Sequence, residues 1–174
     1  HAPGMTASGA LPAAVPLRPH QDRMPARAKV ITMKKVRVGI NGFGRIGRQV
    51  FRALRQTYAD RVEVVAINDL FDATTNFQLL EYDSVYGRAF LDAQVDGQEV
   101  KVGDWNIHCF AERDPHQLAW GQYDVDVVVE STGIFRKASQ ASVHMDNGAK
   151  KVIITAPAKE EDITIVMGVN HDQY

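Results

Sequence analysis

An open, mostly parallel sheet wrapped on both faces by helices, with a small antiparallel insertion, is the fold this sequence predicts. Three observations carry it. A glycine-rich turn, Asn41-Gly42-Phe43-Gly44-Arg45-Ile46-Gly47-Arg48, stands between an alternating segment at 35–40 and a stretch at 45–58 in which Ile46, Val50, Ala53, Leu54 and Tyr58 recur at helical spacing. A second short apolar segment, 62–67, ends in Asn68-Asp69. Two further apolar runs, 125–129 and 152–154, recur downstream, and strands that alternate with helices build a parallel sheet.

At 174 residues the chain has the length of one domain and can bury a proper core. Twenty basic and 21 acidic residues leave a formal charge of −1, which gives no reason to expect nucleic acid as a partner. One cysteine excludes an internal disulfide, offers no zinc site, and fits a reducing compartment. No apolar run is long enough to cross a bilayer as a helix, so no membrane partner is expected.

Residues 1–32 stand apart. They hold five of the seven prolines, with Arg18, Arg23, Arg27 and Lys29 against the single acid Asp22. No helical or strand period survives those prolines, so a flexible leader is expected, from a tag and upstream read-through before Met33. A basic, acid-poor leader also suits a transit peptide. The domain proper is then 33–174.

In the glycine turn, Gly42 allows the tight bend and Gly44 lets a pyrophosphate reach the backbone. Gly47 lets the helix pack close to the sheet. The free N–H groups of Arg45 and Ile46 at the helix start face such an anion, aided by the helix dipole. About twenty residues further on the pattern requires an acid at the end of the second strand, and Asp69 supplies it. Its carboxylate suits the two ribose hydroxyls of NAD and would repel a 2′-phosphate. This is the fingerprint of a Rossmann-type doubly wound domain. Arg45, Arg48, Arg52 and Arg55 form a basic stripe, with Arg52 and Arg55 expected in solvent.

Residues 72–82 read as a short helix capped by Asp72 or Thr74, with Phe77 and Leu80 inward and Tyr82 a further candidate. Segments 93–95 and 99–102 flank Asp96-Gly97, a hairpin signal, and a turn at Gly103-Asp104 leads into 105–110. This is the antiparallel insertion. Period-two alternation puts Trp105, Ile107 and Cys109 on one face and His108 on the other, so Cys109 is expected to be buried and inert. The run 125–129 ends in Glu130, and Ser131-Thr132-Gly133 follows at the carboxyl end, where ligands of such sheets lie. A helix at 137–147 should end at Asn147-Gly148. A buried strand at 152–154 places Thr155 on the same side, and 163–169 reads as one more strand. His108, His116, His144 and His171 show no ligand spacing, so turn, surface or partly packed positions are expected and no metal site.

The glycine octet and Ala66-Ile67-Asn68-Asp69-Leu70 resemble the phosphorylating glyceraldehyde-3-phosphate dehydrogenases. So do Glu81-Tyr82-Asp83-Ser84 with Tyr86-Gly87, Glu112-Arg113-Asp114-Pro115, Glu130-Ser131-Thr132-Gly133 and Lys150-Lys151-Val152-Ile153-Ile154-Thr155-Ala156-Pro157. The resemblance runs in unbroken order from 33 to 174. It implies an NAD-binding domain in which Arg113 lies beside the adenosine end of the cofactor and Thr155 contacts the nicotinamide end. Leu70 is the residue usual in NAD-using members. The complete enzyme so implied is a cytoplasmic homotetramer. It oxidises glyceraldehyde 3-phosphate with NAD and phosphate to 1,3-bisphosphoglycerate in glycolysis, through a cysteine thiolate.

The Ser-Asn-Ala-Ser-Cys-Thr-Thr segment, the catalytic histidine and the substrate-phosphate sites do not occur among these residues. No catalytic residue is therefore expected on this chain, and the phosphorylated aldehyde is a partner only of the complete enzyme. Two alternatives stand beside this reading. Erythrose-4-phosphate dehydrogenase shares the fold but usually carries glutamate at the position of Asp69. A stand-alone NAD-binding module would lack catalysis altogether.

Overall fold

The computed structural model describes residues 34–174, so the expected leader and the start at Met33 lie outside the described residues. Its strands are β1 (Val36–Asn41), β2 (Val62–Asn68), the short pair β3 (Tyr82–Asp83) and β4 (Gly87–Arg88), β5 (Ala93–Asp96), β6 (Glu99–Val102), β7 (Trp105–Phe110), β8 (Val127–Glu130) and β9 (Lys151–Ile154). The helices are α1 (Arg45–Thr57), α2 (Ala73–Glu81), α3 (Ala138–Ala141) and α4 (Val143–Asp146), with single 3-10 turns at Pro115–Gln117, Trp120–Tyr123 and His171–Gln173.

Seven strands form one sheet in the order β5-β6-β7-β2-β1-β8-β9. From β7 through β2, β1 and β8 to β9 every pairing is parallel, and β5 and β6 add an antiparallel edge. The insertion is therefore shorter than the sequence suggested. Trp105–Phe110 closes the hairpin on one side and joins the parallel sheet on the other, with Ile67 opposite Cys109. The chain steps outward from β1 to β2 and β7, then returns to the far side of β1 with β8. That reversal, between β1 and β8, is where a doubly wound sheet opens a crevice for a ligand.

Both faces are covered. On one, Phe51 of α1 with Phe77 and Leu80 of α2 pack on Ile40, Val64, Ile67 and Ile107. The Phe51 ring meets Phe43, Phe77 and Trp105 edge-on, with centroids 5.7, 5.9 and 5.4 Å away. Fully burying a ring of this size contributes about 1.5–3 kcal/mol. On the other face Leu118, Trp120 and Val125 pack on Val65, Ala66 and Val128.

Several expectations change. The inward face of α1 is Gly47, Phe51 and Arg52, with Val50 and Leu54 half-buried; Ile46, Ala53 and Tyr58 are exposed. Arg52 is not in solvent: its guanidinium is buried and donates to the carbonyls of Leu80, Glu81 and Gly87. The last carbonyls of a helix lack intrahelical partners, and a cation at that end also suits the dipole. Arg55 pairs with Asp104 at 2.7 Å and lies 5.0 Å over the Trp105 ring. Asp72 is the cap of α2, accepting from Thr75 N, and Tyr82 is exposed.

The helix expected at 137–147 is two short pieces separated at Ser142, whose hydroxyl donates back to Ser139 O. Gly148, at φ +103°, ends it as expected. β9 is an edge strand among the described residues, so Ile153 is half exposed, not buried. Residues 163–169 form no strand. The Asn170 side chain accepts from Val166 N and donates to Thr164 O, and these local bonds fold the segment into turns.

Candidate functional site

The glycine turn between β1 and α1 is shaped by two close approaches. Gly42 sits at φ +89°, and a Cβ there would lie 2.6 Å from Thr132 N. A Cβ on Gly47 would lie 2.2 Å from Gly42 O, so the first turn of α1 is pressed onto the glycine turn. Above Gly44 the space is open, with no atom within 4 Å of where a Cβ would stand. The helix starts at Gly44 with no side-chain cap and no acid in its first turn. Its leading N–H groups, on exposed Arg45 and Ile46, are thus offered outward beside open space.

Asp69, half-buried at the end of β2, reaches back to this turn. One carboxylate oxygen accepts from Phe43 N at 2.8 Å and the other from Phe71 N at 3.2 Å. Each oxygen keeps a free lone pair for a further donor. Arg113 follows β7 on an exposed loop and forms no ion pair among the described residues. The loop is held by Asn68: its amide donates to Glu112 O at 2.9 Å and accepts from Glu112 N at 2.9 Å.

At the end of β8, Ser131 turns its hydroxyl toward Gly42 O, 2.6 Å away, and Asn41 O, 3.1 Å away. That hydroxyl therefore braces the glycine turn, and Ser131 faces the crevice through its backbone. Thr132 donates N–H and O–H to Glu130 while its hydroxyl accepts from Ile134 N. Gly133 is exposed at φ +73°. Thr155 ends β9, its N–H and hydroxyl both bonded to Glu130 O. Every residue singled out from sequence for the cofactor thus lies at or just beyond the carboxyl end of one of five adjacent parallel strands.

Sequence reasoning missed the layer beneath. Asn41, Asn68, Glu130, His144 and Trp120 are all buried and joined by hydrogen bonds. His144, expected at a turn, on the surface or partly packed, is fully buried: the end of β8 holds a carboxyl group that needs a donor, and Trp120 needs an acceptor. The available signal was a polar residue, Asn41 or Glu130, closing an otherwise apolar strand; nothing in the sequence marked His144.

Cys109 lies on the buried face with Trp105 and Ile107, as alternation predicted. Burial, then the nearby Glu99 carboxylate, push its thiol up to about 12. Its place in the topology differs from expectation: it is one residue from the carboxyl end of a parallel strand, but faces the α1–α2 core.

Residues 36–138 match the family described as glyceraldehyde 3-phosphate dehydrogenase, NAD binding domain. The chain belongs to this family. It is 58% identical over 139 residues to the glyceraldehyde-3-phosphate dehydrogenase of Priestia megaterium, and 59% to that of Geobacillus stearothermophilus. A glyceraldehyde-3-phosphate dehydrogenase 1 of Bacillus subtilis is 58% identical over the same length. Each alignment covers 80% of this chain and 41% of the relative, so the chain spans about two fifths of the length of these enzymes.

NAD is the cofactor of this domain. The geometry suits it: an open cradle above Gly44, unpaired helix N–H groups for a pyrophosphate, and a carboxylate with spare acceptor capacity one strand away.

Proposed function

We propose that this chain forms the NAD-binding half of a phosphorylating glyceraldehyde-3-phosphate dehydrogenase. The complete protein would be cytoplasmic, a homotetramer, and would take glyceraldehyde 3-phosphate, NAD and phosphate to 1,3-bisphosphoglycerate. The observation that carries the reading is the gathering of Gly42, Gly44, Arg45, Ile46, Asp69, Arg113, Ser131, Thr132, Gly133 and Thr155 around the β1–β8 reversal. In this reading the N–H groups of Arg45 and Ile46 bind the pyrophosphate and Asp69 accepts from the adenosine ribose. Arg113 flanks the adenosine, and the Ser131–Gly133 turn with Thr155 orients the nicotinamide end. Bound there, NAD supplies a hydride acceptor.

The chain alone does not turn over the aldehyde, because covalent catalysis needs a thiolate near a base. Cys109 is the only cysteine, is buried, and holds its proton up to about 12. Asp69 favours this reading over an erythrose-4-phosphate dehydrogenase. The test is calorimetric titration of the 174-residue chain with NAD and NADP. Binding of NAD with clear preference over NADP is expected, and equal affinities would remove Asp69 from the ribose site.

A further inference from the structure

Glu130 is 1% exposed and, among the described residues, faces no cation of lysine or arginine, yet donors converge on it from β1, α4 and the turn that follows it. Their directions are fixed from both ends. At one end Glu112 N–H, which can only donate, bonds Asn68 Oδ1 at 2.9 Å. Asn68 must then present Nδ2 to Asn41 Oδ1, 2.8 Å away, and Asn41 must present its own Nδ2 to Glu130 Oε2 at 2.6 Å. At the other end the indole N–H of Trp120, also donor only, points at His144 Nδ1 from 3.1 Å. His144 is therefore a neutral ring carrying its proton on Nε2, and that proton is aimed at the same Oε2 from 2.9 Å. Oε1 accepts the N–H of Thr132 at 2.9 Å and its hydroxyl. Each oxygen therefore faces two polar partners, and at Oε2 both of them are donors.

We infer that Glu130 is a buried positioning residue for the dinucleotide. Its carboxylate winds the 131–134 turn and, through Asn41 and Asn68, locks that turn to the loop bearing Arg113. The inference rests on the proposed NAD site and goes beyond it, since Glu130 itself lies beneath the crevice. The mechanical link is short. Thr132 N is the atom nearest a Cβ placed on Gly42, and Ser131 Oγ holds Gly42 O, so a displaced 131–134 turn displaces the glycine turn.

Glu130→Gln keeps the shape and reverses one donor. The amide nitrogen cannot sit at Oε2, because His144 Nε2–H and the chain from Glu112 N–H both demand an acceptor there. It must face Thr132, whose hydroxyl can rotate to accept but whose N–H cannot. The variant should therefore fold and release the 131–134 turn. The experiment measures NAD affinity and thermal stability of the full chain, Glu130→Gln and Val128→Ala, the last a buried neighbour outside the network.

Glu130→Gln is expected to bind NAD about tenfold or more weakly, while Val128→Ala of comparable stability loss stays within about twofold. Equal affinities of the two variants overturn the inference but leave the NAD site standing; no binding by the unsubstituted chain overturns the site itself. The nitrogen spectrum of the His144 ring in the unsubstituted chain decides the matter if Glu130→Gln does not fold. An unprotonated Nδ1 beside a protonated Nε2 supports the acceptor role of Oε2 on which the network depends, and a proton on Nδ1 refutes it.

Discussion

Replacing Gly47 with alanine isolates the contact that sets the glycine turn. Within a helix the change is ordinarily favourable, by up to about 1 kcal/mol. Here the new methyl would stand 2.2 Å from Gly42 O and 3.0 Å from Ser131 Oγ. Reaching ordinary contact requires the start of α1 to retreat by about 1 Å. The nearest atom is backbone, held by the Ser131 hydroxyl, so no flexible side chain can give way. Forcing such an extra methyl into a packed site costs about 1–3 kcal/mol, which outweighs the propensity gain. Net destabilisation of about 1–2 kcal/mol is expected in urea unfolding.

The same retreat withdraws the N–H groups of Arg45 and Ile46 from a pyrophosphate. Losing hydrogen bonds to a charged group costs about 1.5–3 kcal/mol, so NAD affinity should fall by about tenfold or more. Gly44→Ala is the matched control. With nothing within 4 Å its methyl costs the fold less than about 1 kcal/mol, yet it fills the cradle and should weaken NAD as strongly. A Gly47→Ala protein with unchanged stability and affinity would refute the close-approach argument.

Asp69→Ala should weaken NAD by about tenfold or more, the loss of hydrogen bonds to a charged acceptor, and narrow the preference over NADP in parallel titrations. Arg52→Met strips the carbonyls of Leu80, Glu81 and Gly87 of a buried donor, and a loss of about 3 kcal/mol is expected in chemical denaturation. The Cys109 thiol, raised from its ordinary 9.0 to about 12, should resist alkylation at pH 8 in the folded chain and react fully in denaturant. Its contribution to stability is complete below pH 9, where neither state ionises, and falls as pH rises from about 9 toward 12, because the unfolded thiol loses its proton first. Cys109→Ser should flatten that alkaline decline.

What was legible in the sequence is what a local pattern enforces. Gly42 and Gly47 marked the turn because only glycine fits their contacts or conformation, Gly44 because it leaves the cradle above the turn open, and Asp96-Gly97 marked its hairpin through the positive φ of Gly97. Asp69, Ser131 and Thr155 followed from strand ends, since a parallel sheet puts those ends on one side. Arg52 was misread because a guanidinium on a basic stripe is a solvated group until another element brings it free carbonyls, and α2 comes from 28 residues away. His144 failed similarly: its burial depends on Trp120 and Glu130, which only the fold brings to it. The segment at 163–169 carries β-forming residues, but Asn170 offers its backbone closer partners than any neighbouring strand.

The most direct test of the central claim is amide-shift mapping of the isotopically labelled 174-residue chain during titration with NAD. Saturable shifts confined to Gly42, Gly44, Arg45, Ile46, Asp69, Arg113, Ser131, Thr132, Gly133 and Thr155, together with the network amides of Asn41 and Glu112, are predicted. A folded chain that shows no saturable shifts, or whose shifts gather at the β5–β6 hairpin or on the 163–169 turns, would contradict a dinucleotide site at the β1–β8 reversal.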